Sequence, residues 1–96
     1  MNSFEKLAEF DDWLTGLADT IGKAKILSRI RSATLGNFGD CAPVGDGVYE
    51  MREHYGPGYR VYFKRTGKTV YLLLAGGSKS TQKTDIKKAK ALAKRI

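Results

Sequence analysis

Apolar residues at Phe10, Trp13, Leu14, Leu17 and Ile21 recur at i, i+3, i+4 and i+7, with Asp11, Asp12 and Asp19 on the opposite side. The spacing predicts a first helix that Gly22 punctuates. A second helix follows from Ala24, Ile26, Leu27, Ile30 and Ala33, with Lys23, Lys25, Arg29 and Arg31 on its wet side, and ends near Gly36-Asn37. A short connection around Thr20 to Gly22 makes the two an antiparallel pair. The first seven residues read two ways: as the start of the first helix capped by Ser3, or as a short edge strand over Phe4 to Leu7.

Asn37 to Gly47, with four of its residues Gly or Pro beside Asp40 and Asp46, reads as a turn-rich linker. Beyond it the hydrophobic period becomes two. Val48 to Tyr55, Tyr59 to Arg65 and Thr69 to Ala75 are rich in Tyr, Val, Phe and Leu and predict three strands. Gly56-Pro57-Gly58 and Thr66-Gly67-Lys68 supply the hairpin turns, so the sheet is expected to be an antiparallel meander. Val70 to Ala75 lacks polar alternation, as a central strand covered on both faces requires. Gly76-Gly77 should release the chain. Ser80 or Thr81 then caps a lysine-rich last helix with a narrow stripe of Ile86, Ala89, Leu92, Ala93 and Ile96, expected to pack lightly on the sheet.

The fold class that follows is α+β: an N-terminal helix pair on an antiparallel meander, closed by a C-terminal basic helix. Ninety-six residues make a single domain, 1–96. One cysteine, Cys41, allows no intrachain disulfide and fits a reducing, cytoplasmic compartment. Met1 to Phe10 lacks the basic start and apolar run of a secretory signal, and Val70 to Ala75 is too short to span a bilayer, so no membrane partner is expected.

Charge changes the picture more. Lys and Arg number 17 against 10 Asp and Glu, for a net +7. Met1 to Glu53 carries 6 basic and 9 acidic residues, His54 to Ile96 carries 11 and 1. A cationic second half suits a polyanion such as nucleic acid.

On the predicted strands Glu50 and Arg52 share one face, as do Arg60, Tyr62 and Lys64, and the pairing makes them neighbours across the hairpin. Lys79 leaves the next strand nearby. Arginine forks phosphate, tyrosine stacks a splayed base, and a cation stabilises charge growing on a scissile phosphate. The set fits ribonuclease chemistry without metal or cofactor; the alternative is a solvated face with ordinary cross-strand ion pairs. Gly76 to Thr81 lacks the glycine spacing of a nucleotide-binding loop, and the lone His54 with Cys41 makes no zinc site. His54 either assists as a base or is merely exposed, and Lys83 with the other last-helix lysines either meets RNA, receives an acidic partner or is solvated.

Leu35-Gly36-Asn37-Phe38-Gly39-Asp40, Pro43 to Arg52, Gly56 to Phe63 and Gly76 to Gln82 together resemble the phage-related addiction-module killer proteins, a HigB-like branch of the RelE/ParE toxin superfamily. The resemblance implies a RelE-like fold and the toxin of a type II toxin–antitoxin module, held inactive by a helix-turn-helix antitoxin. It further implies a ribosome-dependent mRNA endoribonuclease that stops translation. On that pattern Arg60 and Lys79 are catalytic and Arg52 flanks the active surface; by residue type and placement Arg52, Tyr62, Lys64, His54 and Lys83 are the candidate RNA-binding residues. Two positions depart from it: Glu50 stands where RelE has lysine, and Asp85 where it has a catalytic tyrosine. Glu50 is then the candidate base, with Tyr62 or His54 assisting. The alternatives are a ParE-like gyrase poison on the same scaffold and a non-catalytic adaptor.

Overall fold

A computed structural model describes residues 1–96. In chain order it contains β1 (Ser3–Lys6), α1 (Ala8–Thr15), α2 (Thr20–Thr34), β2 (Cys41–Gly45), β3 (Val48–Glu53), β4 (Tyr59–Arg65), β5 (Val70–Ser78), a short turn of 3₁₀ helix (Lys79–Thr81) and α3 (Gln82–Ala93). The α+β class holds, and β3, β4 and β5 form the expected meander. No helix is long and apolar enough to cross a membrane.

The sheet has five strands in the order β1-β5-β4-β3-β2, and it is mixed. Of the two readings of the N-terminus the strand is correct, but β1 pairs parallel to β5, Ser3 opposite Val70. The expected linker also contains β2, antiparallel to β3, with a register shift between Pro43 and Gly45. Proline cannot donate to a ladder, so Pro43 fits only an edge strand, which β2 is.

The helix break falls earlier than Gly22. Asp19 takes extended backbone and accepts a 2.9 Å hydrogen bond from the Gly22 amide, capping α2 so that Gly22 lies inside it. Gly22 is needed for contact: a Cβ there would press on the Tyr59 ring and the Asp19 carboxylate. The Tyr59 hydroxyl donates to Asp19 at 2.7 Å, which raises its pKa to about 12 and ties β4 to the α2 cap. Ile21, placed on the buried stripe by its spacing, is instead exposed.

Each face of the sheet carries a core. Phe10, Ile26, Met51, Val61, Phe63 and Leu73 meet on the α1/α2 side. Val48, Tyr62, Leu72, Leu74, Ala89 and Leu92 meet on the other, under α3. A twelve-residue helix is marginal alone, and burying side chains such as Leu92 contributes about 2 kcal/mol each, so packing holds α3 in place. The last helix therefore does not pack lightly: it covers the face expected to be open.

Gly76 and Gly77 continue β5 rather than release the chain. The Trp13 ring lies directly on Gly76, and the Asp85 carboxylate on Gly77, leaving no room for a Cβ at either position. Gly76→Ala is expected to destabilise the fold by about 1–3 kcal/mol through this overpacking. Thermal unfolding followed by circular dichroism should show a Tm lower by at least about 4 °C.

Candidate functional site

Arg52 on β3 and Arg60 on β4 are directly opposite each other, and two like charges so placed repel. Glu50 sits between them beneath α3 and is only 1% exposed. One carboxylate oxygen accepts from Arg52 Nε at 3.0 Å. The other accepts from the Tyr62 hydroxyl at 2.9 Å and from Gln82 Nε2 at 2.8 Å, with Arg60 Nε 3.7 Å away. Burial pushes the Glu50 carboxyl up, but bonds from Gln82, Arg52 and Tyr62 and the Arg60 charge outweigh it and hold it below the usual carboxylate range. A carboxylate so saturated is an anchor for cations rather than a ready proton acceptor.

Arg60 itself is 7% exposed. Its Nη1 donates to the Gly58 carbonyl at 3.0 Å, while its buried Nε makes no hydrogen bond. Gly58, at φ +77°, bends the chain so that its carbonyl meets the guanidinium and Lys79 stands alongside. Arg60 is thus fixed at the end of β4 with donor capacity to spare, where Lys79 and Lys83 are exposed.

On the other flank Arg52 Nη1 meets Asp40 Oδ1 at 3.3 Å, and Asp40 Oδ2 lies 2.6 Å from His54 Nε2. The His54 bond, then the charges of Arg52 and Arg29, hold the Asp40 carboxyl below its usual range. Arg29 of α2 fixes that loop, donating to the Arg52 carbonyl and to the carbonyls of Phe38 (2.9 Å) and Asp40 (3.3 Å).

The fold therefore brings Glu50, Arg52, Arg60, His54, Lys79 and Lys83 to one end of the sheet. Two predicted residues are placed otherwise than expected. Tyr62 is fully buried beneath α3, its hydroxyl given to Glu50, so no base can stack on it; burial and that bond raise its pKa far above the tyrosine norm. Lys64 lies four residues along β4 from Arg60, about 13 Å away by strand rise, and its ammonium caps the Ala93 carbonyl at the far end of α3 at 3.4 Å. The patch is accordingly an end-on mouth between β3, β4, β5 and the start of α3, not an open concave face. Asp85, at the departure from the toxin pattern, accepts from Thr81 and packs on Gly77.

Asp40, Gln82 and Gly58 are members of the site that sequence reasoning missed. Asp40 stands fourteen residues before His54 and Gln82 thirty-two after Glu50, too far apart for any local spacing to couple them. A separate cavity of about 420 Å³ opens on the α1/α2 side, lined by Phe38, Cys41, Tyr49, Phe63 and Tyr71 with Arg65, and contains none of the predicted site residues.

A family described as phage derived protein Gp49-like (DUF891) matches residues 12–96. The chain is also similar to an uncharacterized protein of Haemophilus influenzae (strain Rd), 49% identical over 87 residues that cover 91% of this chain and 88% of the relative.

Proposed function

From the premise that the chain belongs to the phage-derived Gp49-like family, we propose that it is the toxin of a type II toxin–antitoxin module, RelE-like in fold, that cuts mRNA on the ribosome without a metal. The observation that carries this reading is Arg60: a guanidinium fixed by the Gly58 carbonyl and the Glu50 carboxylate and flanked by exposed Lys79 and Lys83 at a sheet end. Guanidinium forks bind phosphate oxygens in pairs, and a pre-fixed cation stabilises the charge of a pentacoordinate phosphate without reorganising. Arg60 and Lys79 are its catalytic cations in this reading. Glu50 is the anchor that sets Arg60 and Arg52, and Lys83 and the other α3 lysines meet RNA backbone. The partners are ribosome-bound mRNA and a helix-turn-helix antitoxin, and the compartment is the cytoplasm.

The test is a short induction followed by mapping of mRNA 5′ ends. New ends in phase with codons, appearing as protein synthesis stops, are expected. Growth arrest with intact mRNA would sink the nuclease reading. DNA damage preceding any loss of translation would point to gyrase, and unaffected growth to an adaptor.

A further inference from the structure

Phe63 and Arg65 are two residues apart on β4 and so face the same side of the sheet, the side that carries α1 and α2. The register puts Tyr49 of β3 opposite Phe63, and Tyr71 of β5 opposite Arg65. With Phe38 and Cys41 these residues do not close on one another but line the cavity of about 420 Å³. Its rings are ordered. Phe38 and Tyr49 lie at 20° and 21° to the Phe63 ring, with centroids 5.6 and 5.8 Å from it. Tyr71 stands steeply to them, at 69° to Phe63 and 60° to Phe38, and Phe4 stacks on it at 5.2 Å. Phe38 is held from its backbone, where Arg29 donates to its carbonyl at 2.9 Å.

Arg65 is the one charged residue that lines the cavity. Its Nε and Nη2 donate to the Gly67 and Lys68 carbonyls at 3.0 and 2.6 Å, which fixes one edge of the guanidinium on the β4–β5 turn and leaves its end-on edge free. With no carboxylate beside it, that edge selects an anion able to accept a fork of hydrogen bonds. The parallel rings select something flat. A nucleobase joined to a phosphate has both properties, and unpaired nucleotides are held by stacking bases on aromatic rings with cations on the backbone. The volume falls at the lower end of the roughly 300–1,000 Å³ typical of small-ligand pockets, enough for a mononucleotide. An extended peptide would need the neighbouring edge of β2, and Pro43, at the middle of that strand, has no N–H to offer an added strand.

We propose that this cavity is a nucleotide-binding subsite distinct from the mouth at the sheet end, with the base against Tyr49, Phe63 and Phe38 and the phosphate on the free edge of Arg65. Arg65 follows Arg60 by five residues on β4, so their backbones stand about 17 Å apart, and the two residues alternate to opposite faces of the sheet. One mononucleotide therefore cannot occupy both places. The same chemistry has two sources, a free mononucleotide or one residue of a single-stranded RNA. Tyr49 is 40% exposed and Arg65 lies on the surface, so either can be replaced without emptying the core.

The experiment titrates the full chain with adenosine 5′-monophosphate (AMP) and follows its backbone amides by NMR. Shifts concentrated at Phe38, Cys41, Tyr49 and Tyr71 are expected. Arg65→Ala should weaken AMP binding about tenfold and bring it down to that of adenosine, which lacks the phosphate. Tyr49→Leu keeps an apolar side chain but removes the ring face, and should weaken AMP and adenosine alike, by about tenfold. A single-stranded oligoadenylate hexamer that binds at least about tenfold more tightly than AMP, through the same amides, identifies the strand as the source; equal or weaker binding identifies the free nucleotide. Shifts confined to the sheet end around Lys79 and Gln82, or no shift up to about 10 mM AMP, overturn the subsite. AMP binding that Arg65→Ala leaves within about twofold does the same. Tighter binding of the peptide acetyl-Asp-Phe-amide than of AMP also overturns it and gives the cavity to a protein partner. Binding is read here without cleavage, so the nuclease reading stands or falls separately.

Discussion

Arg60→Ala is expected to lower single-turnover mRNA cleavage on the order of 10³-fold while the protein stays folded. Single pre-aimed donors to a developing oxyanion are worth about 10²–10³ in rate, and Arg60 is a charged donor held in a site that is nearly closed to water. The fold should survive because Glu50 keeps three of its partners, Arg52, Tyr62 and Gln82, when Arg60 is gone. Arg60→Lys separates charge from geometry. An ammonium has no fork and cannot both hold the Gly58 carbonyl and present a second donor to phosphate, so most of the loss should remain. Cleavage by Arg60→Lys at the original rate would show that only net charge matters at this position.

Glu50→Ala should have the largest effect on stability, about 3–5 kcal/mol, a large part of the 5–15 kcal/mol typical of a domain. The substitution leaves the Arg60 guanidinium without its counter-charge, and the Tyr62 hydroxyl and the Gln82 amide without an acceptor, under a helix that excludes water. Denaturant unfolding measures this directly. Glu50→Gln keeps the shape and loses the charge, and its cost should vary with pH. The native carboxyl titrates below the ordinary glutamate value of about 4.3, so its charge stabilises the fold fully above that value. The contribution is lost as pH falls through the lower native pKa. Stability of the unsubstituted chain should therefore drop in acid, and Glu50→Gln should flatten part of that drop; Glu9, Asp19 and Asp40, also lowered in the fold, account for the remainder.

Local patterns carried much of the architecture. Period-two alternation from Val48 to Arg65, followed by the apolar run Val70 to Ala75, located the meander, because side-chain direction along a strand depends only on position. The same alternation put Glu50, Arg52 and Arg60 on a common face, and they do meet. It could not say what covers that face. The narrow stripe of Ile86, Ala89, Leu92 and Ala93 says that the last helix packs but not that it covers Leu74 and Tyr62 so fully, so Tyr62 reads as a stacking platform when it is core. β1 escaped firm assignment because its partner, β5, lies sixty-seven residues on, and a parallel pairing leaves no hairpin signature. Gly76 and Gly77 looked like punctuation because a sequence shows a glycine's freedom but not the Trp13 ring and Asp85 carboxylate that require it. Asp40 became visible only when Arg29 and the register of β2 had drawn its loop to the end of β3.

The parallel partnership of β1 with β5 has a consequence for birth of the chain. β5 is the strand on which both cores rest, and it borders β1 and β4 while carrying α1 on one side and α3 on the other. Its residues, Val70–Ser78, follow those of all the strands it organises. Every earlier stretch therefore waits, its apolar faces unmatched, until β5 is available, and such long-range closure is intrinsically slow. The cluster at the end of the sheet therefore cannot assemble before β5 and the start of α3, which bring Lys79 and Gln82 to it, have joined the fold.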